Sequence, residues 1–201
     1  MQDELIQSLA ARKGHFRFES GHHGDLWLDL ELLCLRPDRI RMFAVELANR
    51  LSRYNIESVC GPLVEGAFVA LMVAAQLEVE FSYSERFALP PSDALYAVQY
   101  RIPPTLRDKV RGKRVAIVND VINAGSAVRG TCDDLQCCGA STVAIGALAI
   151  LGTAASTFAA DKGIPLESIA QLPNNLWTAL DCPLCASGVP LEDAGAQVCR
   201  A

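Results

Sequence analysis

The segment from Val115 to Gly130, VAIVNDVINAGSAVRG, contains the residue types best suited to chemistry. An apolar run ends at Asn119-Asp120, and a short polar loop with one glycine then leads into a helical pattern. Where a strand turns into a helix N-terminus, backbone N–H groups point at a common centre and favour an anion. The residues to which we assign that anion are Asn123, Ala124, Gly125, Ser126 and Ala127.

The Asp120 carboxylate just upstream cannot bind an anion, but it can accept hydrogen bonds from neutral hydroxyl groups. A ligand that carries a phosphate beside a diol satisfies both requirements, and ribose 5-phosphate has that shape. The same pattern also fits an ordinary strand-to-helix turn in which Ser126 caps the helix. On the pattern alone, both interpretations stay open.

The elements that position this segment follow from hydrophobic spacing. Apolar residues at helical steps predict helices from Pro37 to about Tyr54, from Gly66 to Leu77 and from Ser126 to Cys138. Short apolar or alternating runs predict strands at 57–60, 79–83, 96–102, 115–118 and 142–151. This order predicts an α/β fold with an open, mainly parallel twisted sheet flanked by helices. In such sheets, ligands bind at the carboxyl ends of the strands.

Three regions are expected along the chain. Residues 1–35 form an N-terminal helix and a small hood segment, and residues 36–155 form the core. Proline breaks on both sides of a strand-like run predict a hairpin or flap at about 87–108 within that core. Residues 156–201 form a C-terminal segment and a tail that contains Cys and Pro.

Composition excludes several classes of function. The chain has 201 residues, 18 Lys and Arg against 23 Asp and Glu, and a formal net charge of -5. Nucleic-acid binding needs a clustered basic surface, so we do not expect it. No apolar run approaches the ~18 residues of a membrane span, and the acidic start has no pattern of a secretory signal. We expect a cytoplasmic protein.

The eight cysteines are expected to be reduced thiols rather than a disulfide framework. Cys182 and Cys185 have the spacing of a zinc knuckle, but a structural zinc site needs four ligands. Cys199 is the only later thiol and no histidine follows Cys185. A zinc site at Cys182 and Cys185 is therefore not expected within one chain, which leaves a site shared across a dimer as the alternative.

The segment VAIVNDVINAGSAVRG resembles the phosphoribosyl-pyrophosphate motif of type I phosphoribosyltransferases, most of all the form in orotate phosphoribosyltransferases. The order of elements is similar from Phe16 to about Leu151. The resemblance implies that Asn119 and Asp120 hold the ribose hydroxyls as catalytic residues, and that the loop from Asn123 to Ala127 wraps the 5'-phosphate. Phosphoribosyl pyrophosphate or a nucleoside monophosphate is the implied ligand, and a homodimer is the implied assembly.

The basic positions of this family are altered in the chain. Glu19 and Glu65, the latter just before Gly66, stand where lysines are usual, and Glu85-Arg86 stands where Arg-Lys is usual. The flap segment has no Lys or His, so Arg101 is its one candidate base. The arginine that grips the carboxylate in orotate enzymes is also absent, because AILGTA occupies that stretch.

Three carboxylates around a pyrophosphate would prevent its binding without compensation. At an effective dielectric of about 20 and a separation of about 5 Å, each like-charge pair costs on the order of 3 kcal/mol. Mg²⁺ prefers carboxylate and phosphate oxygens and would compensate. We expect Mg²⁺ as the cofactor, near Asp120, with no protein metal ligand assigned. Otherwise no pyrophosphate binds.

On the base side, the resemblance points to the residues after Ser20-Gly21. His22 and His23 are adjacent on an extended segment and point in opposite directions, so one is expected in a solvated loop and the other near the ribosyl site. We assign His22 and Trp27 to the base side.

Two functions stay open. The first is an orotate-phosphoribosyltransferase-like enzyme that moves ribose 5-phosphate to or from a nitrogenous base, with orotate itself not favoured. The second is an altered member of the fold that binds a nucleoside monophosphate or ribose 5-phosphate as a sensor, or hydrolyses an N-glycosidic bond.

Overall fold

The computed structural model describes residues 1–88 and 95–193. The strands in chain order are β1 (Ala11–Arg17), β2 (His23–Leu28), β3 (Ser58–Pro62), β4 (Glu80–Ala88), β5 (Val98–Arg101), β6 (Arg114–Ile122), β7 (Ser141–Leu151), β8 (Leu166–Leu172), β9 (Leu176–Trp177) and β10 (Glu192–Asp193). The helices are α1 (Gln2–Ser8), α2 (Leu30–Cys34), α3 (Pro37–Leu51), α4 (Glu65–Leu77), α5 (Pro104–Val110), α6 (Ser126–Cys137), α7 (Ala154–Lys162) and α8 (Pro183–Ala186).

Six strands form the central sheet in the order β5-β4-β3-β6-β7-β8. All neighbours are parallel except β4 and β5, which form an antiparallel hairpin with Glu85 opposite Arg101. Apolar side chains of α3 and α4 pack on one face of the sheet, and those of α6 and α7 pack on the other. The α/β fold with an open, mainly parallel sheet is thus confirmed.

A second, four-stranded sheet in the order β10-β1-β2-β9 forms the hood. The N-terminal hairpin β1-β2 supplies its centre, and the short strands β9 and β10 of the tail pair with its two edges. The tail is therefore part of the hood, and this long-range pairing has no signal in the sequence.

Three boundaries differ from the sequence-based expectation. Strand β6 continues past Val118 to Ile122, because its backbone stays paired with β7 beyond the polar residues. The core sheet continues past residue 155, since β8 pairs with β7. Of the flap expected at 87–108, residues 98–101 form β5 and residues 104–110 form α5. Residues 89–94 of that flap lie outside the described residues.

Candidate active site

Asp120 lies near the carboxyl end of β6 and is buried, with 5% of its surface exposed. Burial raises its pKa from 3.8 to about 7, and the nearby carboxylates of Glu65 and Glu31 add to the effect. The backbone N–H groups around it oppose the shift only in part. Near pH 7 this group can therefore exchange a proton or accept hydrogen bonds from hydroxyls, and a cation beside it would favour its charged form.

Asn119 precedes Asp120 on the same strand and contacts the turn that starts α4. Its Nδ2 donates to the carbonyl of Val121 at 2.9 Å. A β-carbon added at Gly66 would lie 1.9 Å from Asn119 Oδ1, so only glycine allows this approach. The Gly66 turn thus closes over the end of β6. Within it the Leu63–Val64 peptide is cis.

The loop after β6 has the geometry of an anion cradle. Gly125 is the N-cap residue of α6 with φ of 86° and ψ of 19°, a left-handed conformation that favours glycine. Among the described residues, no side chain caps this helix end, so the first N–H groups of α6 are available to a ligand. Ser126 is the first helical residue rather than the cap, which contradicts the simple capping interpretation.

The side chain of Asn123 is held by a residue that follows β8. Asn174, which follows β8, donates its Nδ2 to Asn123 Oδ1 at 2.7 Å. Because the oxygen of Asn123 is engaged, its amide N–H groups are left to donate toward a ligand. Asn174 could not be assigned from the sequence, since 51 residues separate the two side chains.

Two clefts, with volumes of about 200 Å³ and 230 Å³, meet at Asn123. Both are lined by Phe18, Trp27, Val121 and Asn123. The first also contains Glu19, Ser20, Tyr100, Asn119 and every loop residue from Asn123 to Ala127, whereas the second contains Glu31 and Glu65. Among the described residues, no lysine or arginine lines either cleft.

Glu19 is not a free acid. Both of its oxygens accept from the Tyr100 hydroxyl, at 3.0 and 3.1 Å, and Arg86 Nε lies 3.3 Å from Oε2. Burial raises the pKa of Tyr100, and the neighbouring Glu19 carboxylate raises it further. Arg86 therefore neutralises Glu19 instead of facing the site as a second base.

The remaining altered positions do not converge with Glu19. Glu65 lines the second cleft, and Glu85 lines neither cleft. Arg101 lies over the ring of Phe87 at 4.9 Å and donates to Gln99, outside both clefts. The carboxylates of Glu19, Glu65 and Glu85 therefore do not line one common cleft. Glu65 instead shares the second cleft with Glu31, and both of these carboxylates raise the pKa of Asp120.

On the base side, Trp27 lines both clefts and stacks on Phe18, with ring centroids 6.0 Å apart and an interplanar angle of 12°. His22 Nδ1 lies 3.0 Å from the Ser20 hydroxyl, and its ring is 5.4 Å from that of Tyr96. Burial, and then the charge of Arg129, lower the pKa of His22. His23 is buried in β2 and belongs to a separate cluster, whereas His22 lies partly buried in the turn between β1 and β2.

Arg129 is a candidate that the sequence reasoning missed. It lies one helical turn after Gly125, and its guanidinium sits between the rings of Tyr96 at 5.0 Å and Phe158 at 4.4 Å. Its Nε is buried and has no hydrogen-bond partner in the part of the chain that the structure describes. The four-residue step from the loop is the signal that places this cation on the same helix face.

The oxygen ligands at Asp120 fit Mg²⁺ only together with a ligand. No group of three His, Cys, Asp or Glu side chains converges around Asp120 within residues 1–88 and 95–193. Mg²⁺ characteristically uses one or two carboxylates and completes its shell with water and substrate oxygens. Asp120 would be the residue that holds it.

Comparison with known proteins decides the family. Residues 37–168 match the model of the phosphoribosyl transferase domain, which is more than half of the chain. The chain belongs to the phosphoribosyltransferase family. The family match covers β6, α6 and the loop between them.

The orotate phosphoribosyltransferase of Caldanaerobacter subterraneus subsp. tengcongensis is 29% identical over 195 residues, with 96% of this chain and 95% of that protein covered. The orotate phosphoribosyltransferase of Thermotoga maritima is 28% identical over 200 residues, with 98% of each covered. Trypanosoma brucei adenine phosphoribosyl transferase, solved with AMP, pyrophosphate and ribose-5-phosphate, has a TM-score of 0.65 at 17% identity. The superposition covers 98% of this chain and 86% of the Trypanosoma brucei chain. These similarities confirm the type I phosphoribosyltransferase fold.

The structure also answers the question of a membrane span. Within the described residues, no helix is both long and apolar enough to cross a bilayer.

Proposed function

We propose that this protein transfers ribose 5-phosphate between phosphoribosyl pyrophosphate and a nitrogenous base. The observation that supports this most is the placement of buried Asp120 directly before a left-handed, uncapped loop at the N-terminus of α6. A ribose 5-phosphate spans these two features, with its hydroxyls at Asp120 and its phosphate at the loop. Orotate is not favoured as the base, because Leu151, the last residue of β7, and Gly152 after it stand where an arginine would be needed.

In this mechanism the backbone of the loop and the side chains around it have separate tasks. The backbone N–H groups of residues 123–127 bind the 5'-phosphate and fix the ribose. Asp120, in its charged form, accepts hydrogen bonds from the ribose hydroxyls and stabilises the positive charge that develops at the ribosyl carbon as the bond to pyrophosphate lengthens. Trp27 and Phe18 pack against the base and exclude water. Bound Mg²⁺ would supply charge neutralisation of the leaving pyrophosphate.

Calorimetry tests this proposal. Phosphoribosyl pyrophosphate, ribose 5-phosphate and several nucleoside monophosphates are titrated with Mg²⁺ and with a chelator. We expect Mg²⁺-dependent binding of phosphoribosyl pyrophosphate to the wild-type chain. Binding of monophosphates alone would sink the transferase proposal.

The second candidate is a sensor or N-glycosidic hydrolase, and one observation favours it. The described residues place no lysine or arginine in either cleft, and Glu65 lies beside Asp120. A site of that charge suits a monophosphate better than a pyrophosphate. Under this alternative the titrations give tight monophosphate binding that a chelator does not change.

Glu65→Lys separates the two candidates further. The change removes a like charge near Asp120 and adds a base to the second cleft, so the affinity for phosphoribosyl pyrophosphate should rise by about tenfold or more. Glu78→Lys makes the same charge change at the far end of α4 and is the matched control. An equal rise in both variants would show a general charge effect and no specific role of Glu65. Glu19→Lys is unsuitable, because it would break the contacts with Tyr100 and Arg86.

We also propose that the protein is a homodimer. Apolar side chains along the start of α4 stay exposed in the single chain, with Val64 at 55%, Phe68 at 46% and Leu71 at 51%. These residues follow β3 and surround the start of α4, so an interface here would order the turn before Gly66 as well.

A cytoplasmic location is part of the same proposal. The seven cysteines within the described residues are free thiols, as is usual in a reducing compartment.

A further inference from the structure

Four side chains that the transferase chemistry does not use converge at the hood. They form what we term the His/Cys cluster, which consists of His15, His23, Cys182 and Cys185. One ligand atom from each lies within 4.8 Å of the other three. The histidines come from the N-terminal hairpin and the cysteines from the start of α8, so more than 150 residues separate the two pairs in the chain.

The separations within the His/Cys cluster match those of a tetrahedral zinc site. Zinc bonds of about 2.05 Å to nitrogen and about 2.3 Å to sulfur place tetrahedral ligands about 3.3 Å apart for two nitrogens and about 3.6 Å apart for nitrogen and sulfur. His15 Nε2 and His23 Nδ1 are 3.2 Å apart. Cys182 Sγ is 3.4 Å from His15 Nε2, and Cys185 Sγ is 3.7 Å from it and 3.2 Å from His23 Nδ1.

A second contact fixes the direction of one ligand. His15 Nδ1 lies 2.9 Å from the carbonyl oxygen of Val189. A carbonyl only accepts, so Nδ1 carries the proton and Nε2 presents a lone pair to the centre of the cluster. A backbone carbonyl on the distal nitrogen is the usual outer partner of a metal-bound histidine.

Hydrogen bonding among the four groups does not account for the arrangement. The single lone pair of His15 Nε2 has three polar atoms within 3.7 Å and can accept one good hydrogen bond. Three members of the cluster are buried, with His15 1%, His23 5% and Cys182 2% exposed. A bound cation would satisfy all four ligand atoms at once, and exposed Cys185 leaves a route for its entry.

We propose that the His/Cys cluster binds one structural Zn²⁺ ion. Two thiolates and two imidazoles suit zinc, whereas Mg²⁺ and Ca²⁺ prefer oxygen ligands. Four protein ligands leave no open coordination position, so the role of the ion is structural. From the sequence this site is not expected because no histidine follows Cys185; the structure brings the missing ligands from β1 and β2 instead.

The ion would fasten the tail to the hood next to the candidate active site. Residues 182–189 contain α8 and lie in the chain between β9 and β10. Both of these strands pair with the N-terminal hairpin. His23 directly follows the turn that carries Glu19, Ser20 and His22. Zinc would therefore hold that turn against the loop at 123–127, while the phosphate and hydroxyl contacts of the site do not depend on it.

Metal analysis tests the proposal on the full chain, purified under a reductant after growth with zinc. We expect about one zinc ion per chain by mass spectrometry of the metal content. Cys185→Ser removes an exposed ligand and should reduce the zinc content and the affinity for zinc by at least ~10-fold. Cys137→Ser changes an exposed cysteine outside the cluster and should keep the wild-type zinc content. Absence of zinc from the wild-type chain even after incubation with Zn²⁺, or unchanged zinc affinity in Cys185→Ser, would overturn the proposal.

A second measurement needs no variant. Co²⁺ added to the zinc-free wild-type chain should give the intense visible bands of tetrahedral cobalt and a thiolate-to-metal charge-transfer band, both lost when Zn²⁺ is added. Weak bands typical of octahedral cobalt would contradict the tetrahedral site. A Cys182–Cys185 disulfide formed in place of metal binding under reducing conditions would also refute it.

Discussion

Replacement of Asp120 by Asn should make the protein more stable as it inactivates the site. The Asp120 pKa rises from 3.8 to about 7 in the folded chain, chiefly because of burial. Between these two pKa values the folded chain holds the Asp120 proton and the unfolded chain does not. The free energy of unfolding therefore falls as the pH rises from the unfolded pKa to the folded pKa. The charged carboxylate thus opposes folding at neutral and higher pH.

The size of this effect follows from linkage. With those two pKa values, Asp120 disfavours folding by about 1.7 kcal/mol at pH 5 and by about 4 kcal/mol at pH 8. Asparagine has a similar shape and no charge, so Asp120→Asn removes both costs. The gain in the free energy of unfolding should be about 2.5 kcal/mol larger at pH 8 than at pH 5.

Urea unfolding followed by circular dichroism measures this difference. Wild-type and Asp120→Asn chains are unfolded at both pH values, and only the difference between the two chains is compared, so other titrating groups cancel. Asp134→Asn is a matched control in a carboxylate that pairs with Arg107, and it should destabilise the chain instead. A gain that is the same at pH 5 and pH 8 would refute the burial of a charged Asp120.

Three further changes probe other parts of the account. Gly125→Ala forces a β-carbon onto a φ of 86° and should weaken ribose 5-phosphate binding at least ~10-fold by calorimetry. The control Gly112→Ala, at a φ of 73° in open space, should destabilise the chain by about 1 kcal/mol and leave binding unchanged. Equal losses of binding in both variants would contradict a phosphate-binding loop at 123–127. Phe68→Glu places a charge on the exposed face of α4 and should convert dimers into monomers in sedimentation, with an unchanged dimer as the contrary result. Tyr100→Phe removes the hydroxyl that donates to Glu19 and should lower the free energy of unfolding by about 1–2 kcal/mol, and a neutral effect in urea would show that this contact is not made.

Local periodicity predicted most of the core. The helix at 37–51 and the helix at 65–77 lie where apolar spacing placed them. The end of β6 was placed four residues too early, at Val118, because polar side chains interrupt the apolar run there. Strand pairing depends on backbone groups, and Asn119 and Val121 continue the register with Ala147 and Ala149.

Contacts between distant segments could not be predicted. Arg86 pairs with the Glu19 carboxylate across 67 residues, and Tyr100 donates a hydrogen bond to it across 81 residues, so the charge presented at that position cannot be judged from the residue type. The His/Cys cluster arises only when the tail pairs with the hood. The sequence showed that bases were missing from the site, but not how the remaining charges were partnered.

Release of pyrophosphate tests the central claim most directly. Phosphoribosyl pyrophosphate with Mg²⁺ is incubated with the wild-type chain and a pool of nitrogenous bases that includes orotate and adenine, and pyrophosphate is measured over time. We predict release that requires a base and that falls on the order of 100-fold in Asp120→Asn, as expected when a charged group that stabilises the transition state is lost. Release that is absent with every base, or that is undiminished in Asp120→Asn, would contradict the account.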